Sequence, residues 1–216
     1  MSNRQGAKVN DRAKQVLCKI YVSQFLSSGT PIEFIATSLF LDPKEVDHEL
    51  KILRDRGLVE TRDGKLQLTQ LGRNAITVVM TGGAFDIIHP GHVETLDQAR
   101  STGDVLVVSV ARDSTFEKNK KRKPEHSEAL RRKLVSSLKA VDLAVLGSET
   151  DIFETVEMLK PDIIALGYDQ FHDEEKISQE VAKRGLATKV LRLKSSNPEI
   201  KTTSIIGRNS GTLSGL

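Results

Sequence analysis

Polar and apolar positions change rhythm near residue 75. Before that point, apolar residues in "DRAKQVLCKIYVSQFLSSG" recur at helical spacing, and Gly29 closes the run. A second helix is predicted in "TPIEFIATSLF", with Thr30 as N-cap and Pro31 at the first helical position. A third follows in "DPKEVDHELKILRDRG", capped by Asp42, with Pro43 at its first position and stopped by Gly57. The segment "LVETRDGKLQLT" then alternates on both sides of Asp63 and Gly64, which predicts a two-stranded hairpin.

From Ile76 onward, apolar strands alternate with amphipathic helices. The strands are "AITVVMTG", "DVLVVSVAR", "LAVLGS", "DIIALGYD" and "TKVLRLK". Between them lie a helix to about Ser101, then "SEALRRKLVSSLKAVD", "IFETVEMLK" and "EEKISQEVAKRG", with a short helix at the end. Such near-continuous apolar strands imply a parallel sheet covered on both faces. The expected fold class is therefore α/β: a Rossmann-like, doubly wound, five-stranded parallel sheet over residues 76–216, preceded by a small domain over residues 1–75. Ligands of such sheets sit at the carboxyl ends of the strands, beside the point where strand order reverses.

Composition changes this picture little. The 216 residues are 38% hydrophobic and 28% charged, as in a soluble globular protein. The longest apolar runs fall well short of the ~20 residues a spanning helix needs. The polar start "MSNRQGAKVN" is no signal peptide, so a cytoplasmic protein with no membrane partner is expected. A single cysteine, Cys18, excludes an internal disulfide framework and a cysteine-built zinc site; its apolar neighbours predict a buried thiol. The tail "GRNSGTLSGL" is rich in Gly and Ser and is expected to be disordered.

Charge is more informative. Residues 1–75 carry 12 Lys and Arg against 9 Asp and Glu, whereas the remainder carries 20 of each, so the first segment holds the whole excess of +3. Its three helices and hairpin resemble the winged helix-turn-helix domain. That resemblance implies a third helix able to enter a DNA major groove, with Lys51 and Arg54 as candidate contacts and Arg62 and Lys65 on the wing. The same helix carries Glu45, Asp47, Glu49 and Asp55, which repel phosphates. A dimerisation or protein-contact module, compatible with a homodimer, is the alternative.

The chemistry gathers in "MTGGAFDIIHPGHVETLDQAR", residues 80–100, which is the first strand of the second domain, its carboxyl-end loop and the start of a helix. Backbone N–H groups and the helix dipole favour phosphate there. Neither a G-x-G-x-x-G fingerprint nor a Walker loop is present. Instead Gly82 and Gly83 permit a close turn, and His89 and His92 stand three apart across Pro90 and Gly91. At a helix start that spacing puts both imidazoles on one side. Without a nearby third ligand they make a weak zinc site, and no resident metal is expected.

The string "GAFDIIHPGH" resembles the G-T-F-D-x-x-H-x-G-H signature of the cytidylyltransferase-like nucleotidyltransferases, departing from it at Ala84. The resemblance implies transfer of a nucleoside monophosphate from a triphosphate to an acceptor phosphate, with pyrophosphate released and no covalent intermediate. It makes Gly83, Ala84, Phe85, Asp86 and Gly91 part of the nucleotide-binding loop and gives His89 and His92 the charge developing near the α-phosphate. It also implies Mg²⁺ held mainly by substrate oxygens, with Asp86 either supporting that ion or fixing the loop. The resemblance also implies that the basic segment "FEKNKKRKPEH" is a mobile loop closing on phosphates, with Lys120 catalytic and Lys121 phosphate-binding, and that Arg131 on the following helix is a further catalytic contact to substrate. The later "IKTTSIIGR" resembles the family's I-S-T-T-x-I segment, with Lys201 in place of the first Ser and Thr202, Thr203 and Ser204 offering hydroxyls.

For the substrate, "VARDSTFEKNKKRKP" and "LGYDQ" resemble the archaeal FAD synthetases, which join ATP to FMN. This implies Tyr168 and Asp169 beside the nucleotide. A glycerol-3-phosphate or other polyol phosphate cytidylyltransferase using CTP is the alternative within the same chemistry, and a flavin- or nucleotide-sensing DNA-binding regulator is the alternative outside it.

Overall fold

The computed structural model describes residues 7–26, 31–168, 170 and 173–194. The chain divides into two compact units, Met1–Thr77 and Val78–Leu216.

The first unit comprises α1 (Asp11–Ser23), α2 (Pro31–Leu39), α3 (Pro43–Asp55), β1 (Val59–Arg62), β2 (Lys65–Leu68) and a one-turn α4 (Gln70–Arg73). A capping box starts α3: the Asp42 side chain accepts from the Lys44 N–H at 2.8 Å, and Glu45 accepts from the Asp42 N–H at 3.1 Å. Gly57 ends that helix at φ +67°. The hairpin turns on Asp63 and Gly64, both at positive φ, which is the geometry the right-handed strand twist favours. Thr30 and Gly29 lie outside the described residues.

The turn α4 was not anticipated in the sequence. Thr69 caps it by accepting from the Gly72 N–H, and Gly72 lies so close to the Leu58 backbone that any Cβ there would collide with it. Val16, Leu17, Ile20, Ile35, Val46, Leu50, Leu53 and Leu58 are each at most 1% exposed and form the core. Burial pushes the Tyr21 phenol up to about 12, against the pull of Arg73, whose guanidinium lies over its ring. Cys18 is buried. Lys51, Arg54, Arg62 and Lys65 are exposed, and so are Glu45, Asp47 and Asp55. Glu49, expected on that outer face, is instead buried.

The second unit runs β3 (Val78–Gly83), α5 (Pro90–Arg100), β4 (Val105–Val110), α6 (Asp113–Lys120), α7 (Glu128–Ser136), β5 (Leu143–Leu146), α8 (Ile152–Leu159), β6 (Ile163–Leu166), α9 (Glu174–Lys183) and β7 (Lys189–Arg192). The five strands are parallel in the order β5-β4-β3-β6-β7. Strand order therefore reverses between β3 and β6, and the first loop of the unit leaves the sheet at that point. Val78–Thr81 and Val105–Val108 are buried without alternation, as expected of strands covered on both faces.

The opposite, amino edge is pinned by aspartates. Asp162 accepts from the Val78 N–H at 2.8 Å, and Asp142 accepts from the Leu106 N–H at 2.9 Å. Each satisfies an N–H at the beginning of a strand with a carboxylate from the residue just before the neighbouring strand. The expected final helix and the Gly- and Ser-rich tail lie outside the described residues. No described helix is long and apolar enough to cross a membrane.

Candidate active site

Pro90 begins α5 with its fixed φ, and His89 occupies the N-cap position without capping through its side chain. The N–H of His92 donates to the His89 carbonyl at 2.9 Å, so one turn separates the two residues. Their rings stack with centroids 3.9 Å apart, and the His92 ring lies 5.2 Å from that of Phe85. The expected pairing of imidazoles at the first turn of a helix is thus present in the geometry.

Burial, reinforced by the neighbouring His89, lowers the His92 pKa from 6.5 to about 4, with the Ile87 backbone acting weakly the other way. The ring is therefore neutral near pH 7 and can donate one N–H. An unfolded chain protonates this histidine below about pH 6.5, whereas the folded chain does so only near pH 4. Stability is therefore full above pH 6.5 and is lost as pH falls toward 4, by up to about 3 kcal/mol. Urea unfolding of the wild type at pH 7 and pH 5, beside His92→Gln, checks this: the variant should lose less stability between the two pH values.

The loop between β3 and α5 is shaped by a backbone exception. Phe85 adopts φ +51°, a conformation that costs an aromatic residue roughly 1–3 kcal/mol. Its ring is buried in the sheet core and packs so close to Gly83 that a Cβ on Gly83 would meet ring atoms at 2.8 Å. Phe85 thus departs from the sequence expectation of ligand contact, since its side chain is a core anchor.

Asp86 is also buried, and both carboxylate oxygens are engaged. Oδ2 accepts from Arg122 Nη2 and Oδ1 from the Glu125 N–H, each at 2.7 Å. Of the two roles expected for it, fixing the loop is the one the geometry displays. The basic segment itself differs from expectation. Lys118 and Lys120 lie in the last turn of α6, and Lys121 caps it in the left-handed region at φ +57°, so much of the predicted loop is helix. Asp113 at the first turn and lysines at the last suit the helix dipole, which the sequence reading overlooked. Lys120, Lys121 and Lys123 are exposed.

Arg131 was expected to reach substrate. It is instead fully buried, and its guanidinium donates to the carbonyls of Ala84, Ala111 and His126 and to the Asp113 carboxylate. Four of its five N–H donors are thereby taken up by protein. It ties the β3 loop to the end of β4 and the start of α6, and acts on any ligand only through them.

Across the strand reversal, Gln170 donates to the Gly82 carbonyl at 2.6 Å and accepts from the Gly167 N–H at 3.2 Å. Arg192 donates to the carbonyls of Gly167 and Gln170. Tyr168 is half-buried in this loop, just past the end of β6. Sequence reasoning passed over Gln170, although its place after the glycine at a strand end was the available signal. Gly91 is buried in the first turn of α5 and its carbonyl accepts from Thr95. Asp169, Lys201, Thr202, Thr203 and Ser204 lie outside the described residues. Among the described residues, no group of three or more His, Cys, Asp or Glu could hold a metal ion.

A family model described as cytidylyltransferase-like matches residues 80–208, which covers β3 through the strand reversal and beyond. The chain belongs to this family. The match starts within β3, so the first unit lies outside it. Curated proteins similar to the chain include the FAD synthase of Aciduliprofundum boonei, 58% identical over 116 residues, or 54% of this chain and 77% of that protein. They also include the FAD synthase of Methanothrix thermoacetophila, 52% identical over 126 residues, or 58% of this chain and 87% of that protein. A crystal structure described as the lipopolysaccharide core biosynthesis protein from Thermoplasma volcanium is 45% identical, with a TM-score of 0.54 over 56% of this chain and 98% of that chain.

Proposed function

We propose that this protein is an FMN adenylyltransferase: it transfers AMP from ATP to the phosphate of FMN and releases pyrophosphate. The observation that carries the proposal is the identity of 58% and 52% to proteins named FAD synthase, in a chain whose stacked histidines stand at the start of α5.

A phosphate oxygen of FMN attacks the α-phosphorus of ATP, and the bond to the β-phosphate oxygen breaks. The acceptor is already a competent nucleophile, so the chain's task is in-line positioning and charge stabilisation. His89 and His92 lie at the positive end of α5, where they meet charge that develops on the α-phosphate and the departing pyrophosphate. Lys120 and Lys121 contribute cations to the triphosphate from the end of α6, Tyr168 borders the nucleotide just past the end of β6, and Asp169, outside the described residues, is assigned to the same nucleotide on its motif alone. Thr202, Thr203 and Ser204 supply hydroxyls to the same phosphates. Mg²⁺ would be carried by the triphosphate's own oxygens, which suit a hard cation that keeps several waters.

The second reading is a polyol phosphate cytidylyltransferase using CTP, kept because the matching family is described as cytidylyltransferase-like. The first unit is proposed as a winged-helix contact module on its element order. Its exposed α3 face mixes both signs of charge, and this favours protein contact over DNA.

Pyrophosphate release with Mg²⁺ should be measured for ATP or CTP, each paired with FMN or glycerol-3-phosphate. Turnover with ATP and FMN alone is the expected result. Turnover with CTP and the polyol phosphate would replace the acceptor and base while retaining the mechanism.

A further inference from the structure

We infer that Asp86 and Arg122 form a latch, and that Arg122 positions the basic segment instead of binding phosphate. This rests on the nucleotidyl-transfer reading of the site.

Asp86 is 2% exposed at its side chain, and Arg122 Nη2 reaches its Oδ2 at 2.7 Å. The second oxygen, Oδ1, takes the Glu125 N–H, and the Asp86 carbonyl faces His126 Nδ1 at 3.3 Å. One residue of the β3 loop therefore holds Arg122, Glu125 and His126 of the segment that follows α6. The Arg122 guanidinium also lies over the Phe116 ring at 5.1 Å and donates to the Lys123 carbonyl at 2.8 Å. Phe116 is buried in α6, so the latch ties the helix end, the turn and the β3 loop into one unit.

The consequence for chemistry lies in which cations are spared. Lys118, Lys120, Lys121 and Lys123 form no ion pair among the described residues and project from the segment, while Arg122 between them is held inward. An arginine suits this position because its planar fork can meet the carboxylate, a carbonyl and an aromatic face together, which an ammonium cannot. A charge-assisted pair with one buried partner is also among the stronger hydrogen bonds available. The latch thus fixes where the free lysines stand relative to the histidine loop, since Asp86 is only three residues from His89.

The full-length chain should be assayed with ATP and FMN as wild type, Asp86→Asn, Arg122→Gln and the double variant. Asn keeps an acceptor for the Glu125 N–H, and Arg122 is partly exposed, so both single variants retain the fold; melting curves confirm it. Each single variant should raise KM for ATP by roughly tenfold, about the effect of one lost charge-assisted hydrogen bond, with kcat changed by less than about threefold. The double variant should be no worse than the worse single one, because both break one contact. Hydrogen exchange across residues 118–126 should quicken in both single variants without substrate. Unchanged KM, or a double variant whose loss is the product of the two, would overturn the latch. If the wild type shows no turnover, the activity reading has failed by itself, and exchange then decides: faster exchange in both variants supports the latch, and unchanged exchange overturns it.

Discussion

His92→Ala is expected to lower kcat by roughly 10²-fold or more with ATP and FMN. Loss of a preorganised donor aimed at developing charge has about that cost, because no solvent group takes over its geometry. The ring is fixed on both sides, stacked on His89 at 3.9 Å and tilted against Phe85 at 5.2 Å, so its N–H direction is set before substrate arrives. Its low pKa keeps it neutral in the free protein, which makes the expected loss one of hydrogen bonding and not of a resident positive charge. Steady-state pyrophosphate release separates kcat from KM. A variant that keeps its kcat removes His92 from the mechanism, whereas a change confined to KM would leave it a ground-state contact.

Arg131→Met should carry the largest stability cost of any single change considered, about 3–5 kcal/mol, with a melting point lower by on the order of 10 °C. The variant leaves the carbonyls of Ala84, Ala111 and His126 and the Asp113 carboxylate without their donor. Asp113 is partly exposed and water can reach it, which limits the charge penalty. Arg131→Lys should recover little, since one ammonium cannot span acceptors arranged around a planar fork. Calorimetry on the wild type and both variants tests this directly. A melting point unchanged in Arg131→Met would show that the four bonds contribute no net stability.

The contrast between these two residues shows what could be read in the chain. His89 and His92 were legible because local spacing alone brings them together: three residues, one helix start, one proline. The parallel sheet was legible for a similar reason, since unalternated runs such as "VLVVSV" have few other uses. Arg131 and Phe85 were misread because a motif names a residue without saying which way its side chain points. Burial decides that, and burial depends on partners such as Ala111 and Asp113, whose contacts with Arg131 bridge 20 and 18 residues. The turn at Gly72 escaped for a related reason: what requires a glycine there is the backbone of Leu58, 14 residues away.

The aspartates at the amino edge of the sheet carry a wider implication. Asp162 and Asp142 fix the alignment of β3 with β6 and of β4 with β5 at the end farthest from the histidines. The scaffold thereby keeps its alignment independently of the loops at its carboxyl edge. Substitutions around Tyr168 or the end of α6 can then accumulate without slipping a strand. A lineage built on such a sheet is free to change its acceptor while the histidine pair and its helix stay where they are.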